Sequence, residues 1–394
     1  MSGPLVGVRV LDLTRVLAGP YTTMLMADLG AEVVKVEEPG VGDEARRIGP
    51  FLDGVSTYFA SINRGKKGLC LNLKSEAGRR LFLDLVRRAD VLVENYRPGV
   101  MRRLGLDYGT LRTHNPGLVY AACSGFGQTG PYAPRGAYDM IVQGMGGVMS
   151  ITGEPGRPPV RVGTSIGDIA AALFTTIGIL AALCHARATG AGQLVDVGML
   201  DCQVAILENA VMRHLVTGEI PGPLGSRHPS IAPFEAFPAA DGHVILAVGT
   251  KQWGRFCEAI GRPDLVHHPH FATNALRAEH VEGLREILVP IIRQKMVATW
   301  VSEMEAVGVP CGPVNTVDQV VRDPQIKARE MLVEILDPDA GPITMAGLPI
   351  KLSATPGTVQ ERAPRLGEHT DGVLSEWLHL PADEVARLRQ EGVV

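Results

Sequence analysis

The feature that most constrains this chain is an alternation close to its start. Residues 8–13, VRVLDL, are short, apolar and β-branched; AGPYTTMLMADLGA follows, headed by Gly19-Pro20 and closed at Gly30; EVVKVE comes next. A short β-branched run, a stretch opened by proline and ended by glycine, and a second β-branched run read as strand, helix, strand. The pattern recurs in SEAGRRLFLDLVRRA, DVLVEN and GLVYAACSGF. Strands alternating with helices predict an α/β fold with a mostly parallel sheet covered on both faces.

Beyond the last of these strands, segments 138–147, 168–187 and 199–216 read as helices, the last two strongly apolar. From Ile169 to Cys184 no residue is charged. That stretch is shorter than the ~20 residues a membrane span needs, so a buried helix and no membrane association are expected. Residues 217–243 are rich in proline and glycine and mark a domain boundary. After it come the strand VILAV, amphipathic helices through 250–308, strands near 331–336 and 341–345, and two short C-terminal helices, the second opened by Pro381.

Charge and cysteine content exclude several functions. The net charge is −4, so no electrostatic case exists for nucleic acid or an anionic membrane surface. The six cysteines are scattered without a C-x-x-C pair, which argues against zinc or a disulfide framework and for a reducing, cytoplasmic setting. The N-terminus lacks a basic region followed by an apolar core, so secretion is not expected. A first βαβ unit with Glu37 and Glu38 ending its second strand invites a dinucleotide reading. That reading needs G-x-G-x-x-G at the first turn, and TRVLAGPYT does not supply it.

Several longer segments together resemble the class III, or CaiB/BaiF-type, CoA-transferases. They include GVRVLDLTRVLAGPYTTMLMADLGAEVVKVEEPGVGDEAR, NRGKKGLCLNLKSEAGR, VENYRPGVMRRLGLDY, GFGQTGPYAPRGAYDMIVQGMGG, PVRVGTSIGDIAAAL and LGEHTDGVL. The resemblance implies a Rossmann-like large domain made of residues 1–220 and a returning segment 331–394, with a smaller α+β domain at 221–330. It also implies an interlocked homodimer, no tightly bound cofactor, no metal, and CoA or acyl-CoA as a substrate alongside small carboxylic acids. Within the family the branch nearest to RVLAGP, GQTGP and NRGKKGLCLNLK uses succinyl-CoA and a dicarboxylate such as a substituted succinate or glutarate.

The candidate nucleophile is Asp168, which stands after Gly167 where a small-residue loop becomes an apolar helix. Local sequence alone favours a helix N-cap, for which aspartate is a preferred residue. The family pattern places its catalytic aspartate here, and one residue could do both. An ionised carboxylate can carry CoA between acids without ATP by becoming acylated itself. Resemblance further points to Arg15, Ala18, Leu71, Lys74, Asn95, Tyr96 and Arg103 for CoA, and to Arg46, Tyr138, Asp139 and Gly249 for the acyl group or acid. Further candidate cations are Arg64, Arg135, Arg161 and Arg227. Two positions depart from the formyl-CoA enzymes: Glu38 replaces an arginine and Gly136 replaces a lysine, so Arg15 or Arg97 is expected to compensate. A racemase of the same fold would need a histidine base where Tyr138 stands.

Overall fold

The computed structural model describes residues 3–359 and 361–394, in two compact units. The first takes in the chain to Met149, Arg161–Glu219 and Gln325–Val394. Its centre is a six-stranded parallel sheet of β1 (Arg9–Asp12), β2 (Glu32–Glu37), β3 (Lys66–Cys70), β4 (Val91–Glu94), β5 (Val119–Ser124) and β6 (Leu194–Gly198). Their spatial order is 3-2-1-4-5-6, that of the doubly wound folds that bind nucleotides. Helix α1 (Ala18–Asp28) returns β1 to β2, α2 (Glu76–Val86) returns β3 to β4, and α3 (Asp139–Met145) with α4 (Ile166–Thr189) lie between β5 and β6.

The strands are short, and their apolar residues are buried on both faces of the sheet. Leu11, Val34, Leu92 and Tyr120 enter one core with Phe82, Leu85 and the C-terminal Leu374 and Trp377. Their neighbours Val10, Val33, Val91 and Val119 enter the other, against Met24, Met26 and Ile179. This period of two puts successive side chains on opposite faces. The strand order reverses between β1 and β4, which pair directly, Val10 opposite Val91. The chain leaves these two strands toward different sides, and a crevice opens beyond their carboxyl ends.

Helix α4 runs for 24 residues, longer than its uncharged stretch. By length and composition alone it could cross a membrane. Ala170, Ala171, Thr175, Ile179 and Leu183 pack inward, but the expectation of a fully buried helix is corrected. Leu173, Phe174 and Ile177 are exposed, Ile177 to 60%. The expected helix over 199–216 is two, α5 (Met199–Ile206) and α6 (Asn209–Thr217), broken where Glu208 takes φ 51°.

The second unit comprises Ser150–Val160 and Ile220–Pro324. It therefore differs from the single span 221–330: an earlier segment joins it, and 325–330 fall in the first unit. Strands Phe234–Pro238, His243–Ala247 and Cys311–Pro313 form an antiparallel sheet with the middle one central. Phe237, Val244, Phe256, Leu288 and Trp300 fill its core.

Candidate active site

The loop between β1 and α1 carries three consecutive residues whose backbone N–H groups are held by side chains. Asp12 accepts from the N–H and hydroxyl of Thr14. Asn95, just beyond β4, clasps Arg15 from both sides: its Oδ1 accepts the Arg15 N–H at 2.8 Å and its Nδ2 donates to the Arg15 carbonyl at 2.8 Å. Asp43 Oδ1 accepts the Val16 N–H at 3.1 Å. Glycine is needed at position 19, where a Cβ would lie 2.4 Å from the Thr14 Cβ. The first turn of α1 then begins at Ala18 with no side-chain cap, so its N–H groups stay available at the positive end of a helix.

Two cavities open beside this loop and share Arg15 and Tyr96, whose guanidinium and ring lie 5.1 Å apart. The first, about 360 Å³, has apolar walls from Val36, Leu71, Leu73, Val100 and Leu104. Lys74 sits at its rim, 2.7 Å from Glu38. The second, about 200 Å³, is lined by Ala18, Asn95, Ser124, Tyr138 and Asp168, together with Arg15, Arg97 and Arg135. The first is walled mainly by apolar side chains, and the second carries two carboxylates, Asp168 and Glu44, with the three arginines.

Asp168 is the third residue of α4, not its cap. The capping acceptor comes from elsewhere: Asp139 Oδ1 takes the Gly167 N–H at 2.8 Å, and its Oδ2 takes Gln143 Nε2 at 2.8 Å. The Asp168 carboxylate accepts no hydrogen bond from any described residue. Burial, and secondarily the neighbouring charge of Asp139, push its pKa up to about 7. Gly167 is required here too, since a Cβ would meet Val142 at 2.7 Å and Asp139 at 2.9 Å.

The structure brings Asp168, Arg15, Ala18, Asn95, Tyr96 and Tyr138 to one cavity and Leu71 and Lys74 to the adjoining one. The remaining expected residues are not among those lining these two cavities. Arg46 grips Glu37 through Nε at 2.8 Å and Nη2 at 2.7 Å, stacks on Phe59, and faces a different cavity beside Arg365. Asp139 is spent on anchoring the start of α4. Arg103 is exposed and lines neither cavity. Gly249 belongs to the second unit, in the turn after His243–Ala247.

Among the candidate cations, Arg64 pairs with Asp28, Arg227 with Glu282, and Arg161 lies 3.8 Å from Asp139. Arg15, Arg97 and Arg135 have no carboxylate partner among the described residues, and all three line the Asp168 cavity. Arg97 fills the space beside Gly136, where a Cβ would lie 2.5 Å from its Nη2. Sequence reasoning missed Ser124, whose buried hydroxyl lines the same cavity without a partner. Its place at the carboxyl end of β5, next to the crevice, is the signal that could have found it.

Comparison with known proteins identifies the family. The profile of CoA-transferase family III matches residues 5–370. A succinate–glutarate CoA-transferase of Agrobacterium fabrum is 41% identical over 381 residues, 95% of this chain and 95% of that one. A succinyl-CoA:mesaconate CoA-transferase of Haloarcula marismortui is 43% identical over 385 residues, 95% of this chain and 96% of that one. The crystal structure of a CAIB/BAIF family protein from Brucella suis has a TM-score of 0.84 at 38% identity, covering 96% of this chain and 100% of that one. The chain is thus an enzyme and belongs to CoA-transferase family III.

Proposed function

We propose that this enzyme moves CoA from succinyl-CoA to a dicarboxylic acid, with Asp168 as the nucleophile. An Asp168 oxygen attacks the thioester carbonyl, the C–S bond breaks, and CoA thiolate leaves a mixed anhydride. The thiolate attacks the aspartyl carbonyl, forming an aspartyl-CoA thioester and releasing succinate. The acceptor carboxylate then displaces the thiolate to give a second anhydride. Attack of the thiolate on the acceptor's carbonyl completes the new thioester and frees the Asp168 carboxylate.

The observation that carries this reading is a carboxylate without a hydrogen-bond partner in a cavity whose lining also holds three guanidiniums without carboxylate partners. A raised pKa narrows the gap between the attacking carboxylate and the departing thiolate, so less is lost in forming the anhydride. The α1 N-terminus at Ala18 offers N–H groups for the developing oxyanion. Arg15, Arg97 and Arg135 match the charge of CoA phosphates and of a second carboxylate on the acid. The names of the two relatives, both acting on dicarboxylates, support the substrate class.

The test is mass spectrometry of succinyl-CoA incubated with a panel of mono- and dicarboxylates. CoA should pass to at least one dicarboxylate and to none with Asp168→Ala. Hydroxylamine added during turnover should mark Asp168; transfer that proceeds without marking it removes the covalent route. We further infer that a second copy of the chain covers the exposed apolar residues of α4, α5 and α6, among them Phe174, Ile177, Val204, Met212 and Leu215. Sedimentation should give a dimer, and Ile177→Glu should weaken it.

A further inference from the structure

We propose that Asp43, held by Lys35, is a positioning residue that keeps Val16 in a left-handed backbone conformation and so shapes the wall of the Asp168 cavity. This rests on the reading that chemistry occurs at Asp168. Val16 has φ 65°, a region that β-branched residues avoid because the Cβ crowds the backbone. Among the described residues, five other than glycine have positive φ; Val16 is the β-branched one and the one lining this cavity. Such strain persists only where the surroundings over-determine it.

Here the surroundings form a clamp. Asp43, 1% exposed, takes the Val16 N–H on Oδ1, and its Oδ2 lies 2.9 Å from Lys35 Nζ. Lys35, fully buried on β2, also donates to the Thr14 carbonyl at 2.8 Å. One ion pair thus grips the residues on either side of Arg15. Asp43 is itself fixed, because its N–H donates at 2.9 Å to Glu37, the carboxylate that Arg46 holds. This gives Arg46 its role, at the far end of a relay that runs through Glu37 and Asp43 to Val16. A buried ion pair can often be replaced by apolar side chains without loss of stability, so stability alone does not account for one in this place.

The test is a double-mutant cycle with glycine, which adopts positive φ without penalty. Asp43→Ala is expected to lower kcat/KM roughly thirtyfold with Val16 present and by less than about threefold in a Val16→Gly background. A second readout is independent of transfer: crystal structures of Asp43→Ala should show residue 16 moved to negative φ in the valine chain only. If Asp43→Ala does not fold, Asp43→Asn, which keeps an acceptor but loses the attraction of Lys35, is carried through the same cycle. Equal penalties in both backgrounds, or φ at residue 16 unchanged without Asp43, overturn the proposal. Should no acid accept CoA, the assigned reaction fails while the conformational readout still decides on the clamp.

Discussion

Two entrances from strand or loop into helix meet at the crevice, and they treat their carboxylates in opposite ways. At the end of β1, Asp12 is fully buried yet surrounded by donors. Burial would raise its pKa, but Lys66, Lys35 and the hydroxyls of Thr14 and Thr23 bring it down to about 2. At the start of α4, Asp168 has the burial without the donors, and its pKa goes the other way, to about 7. The first carboxylate is committed to holding a shape. The second is left without a hydrogen-bond partner among the described residues, while Asp139 accepts the Gly167 N–H. A residue that is both cap and nucleophile would have its lone pairs engaged; dividing the tasks between two aspartates avoids that.

The contrast can be broken most directly at Asp168. Asp168→Ala should lower turnover by roughly ten-thousandfold, read by the mass-spectrometric transfer assay. On the other side, Lys66→Met leaves Asp12 buried without its ion pair at 2.9 Å and should cost about 3–5 kcal/mol in denaturant unfolding. Arg135→Ala should raise KM for a dicarboxylate roughly thirtyfold, about 2 kcal/mol, while changing a monocarboxylate much less.

Smaller effects sharpen the same contrast through pH. The raised pKa of Asp168 means that its contribution to stability is present below its unfolded value and lost as pH rises through about 7. Asp168→Asn should therefore be more stable than the parent at pH 8 by about 1–2 kcal/mol, with the difference vanishing near pH 4. Activity should run in reverse, falling as pH drops below about 7 and the nucleophile takes a proton. Asp12 behaves oppositely: its contribution is present above its unfolded pKa and lost only as pH falls through about 2. A parent enzyme whose melting temperature did not distinguish it from Asp168→Asn at any pH would remove the contrast.

Much of the scaffold was legible in the sequence because it depends on local periodicity. β-Branched runs gave the strands, Gly19-Pro20 the start of α1, and Pro381 stands at the N-cap of the last helix, Ala382–Gln390. Asp168 was singled out by the family pattern, since the small-residue stretch around Gly167 alone reads as a helix cap. What stayed hidden depends on pairs far apart in the chain. Asp139 caps α4 from 28 residues away, and Arg46 and Arg64 looked like ligand groups until Glu37 and Asp28 appeared beside them. Arg97 was expected only as an alternative to Arg15, because charge in a sequence does not reveal which charges remain unpaired. The left-handed turn at Val16 was hidden for a different reason, since nothing in a valine's identity announces that conformation.

The close approach of Arg97 to Gly136 carries a consequence for how members of such a family diverge. The guanidinium occupies the volume that a side chain at 136 would claim, so the two positions compete for one place and one charge. A lysine introduced at 136 must push the Arg97 guanidinium aside, so a cation supplied from 136 displaces one supplied from 97. Exchanging the source would re-aim that charge within the same groove, a short mutational route from one acid to another.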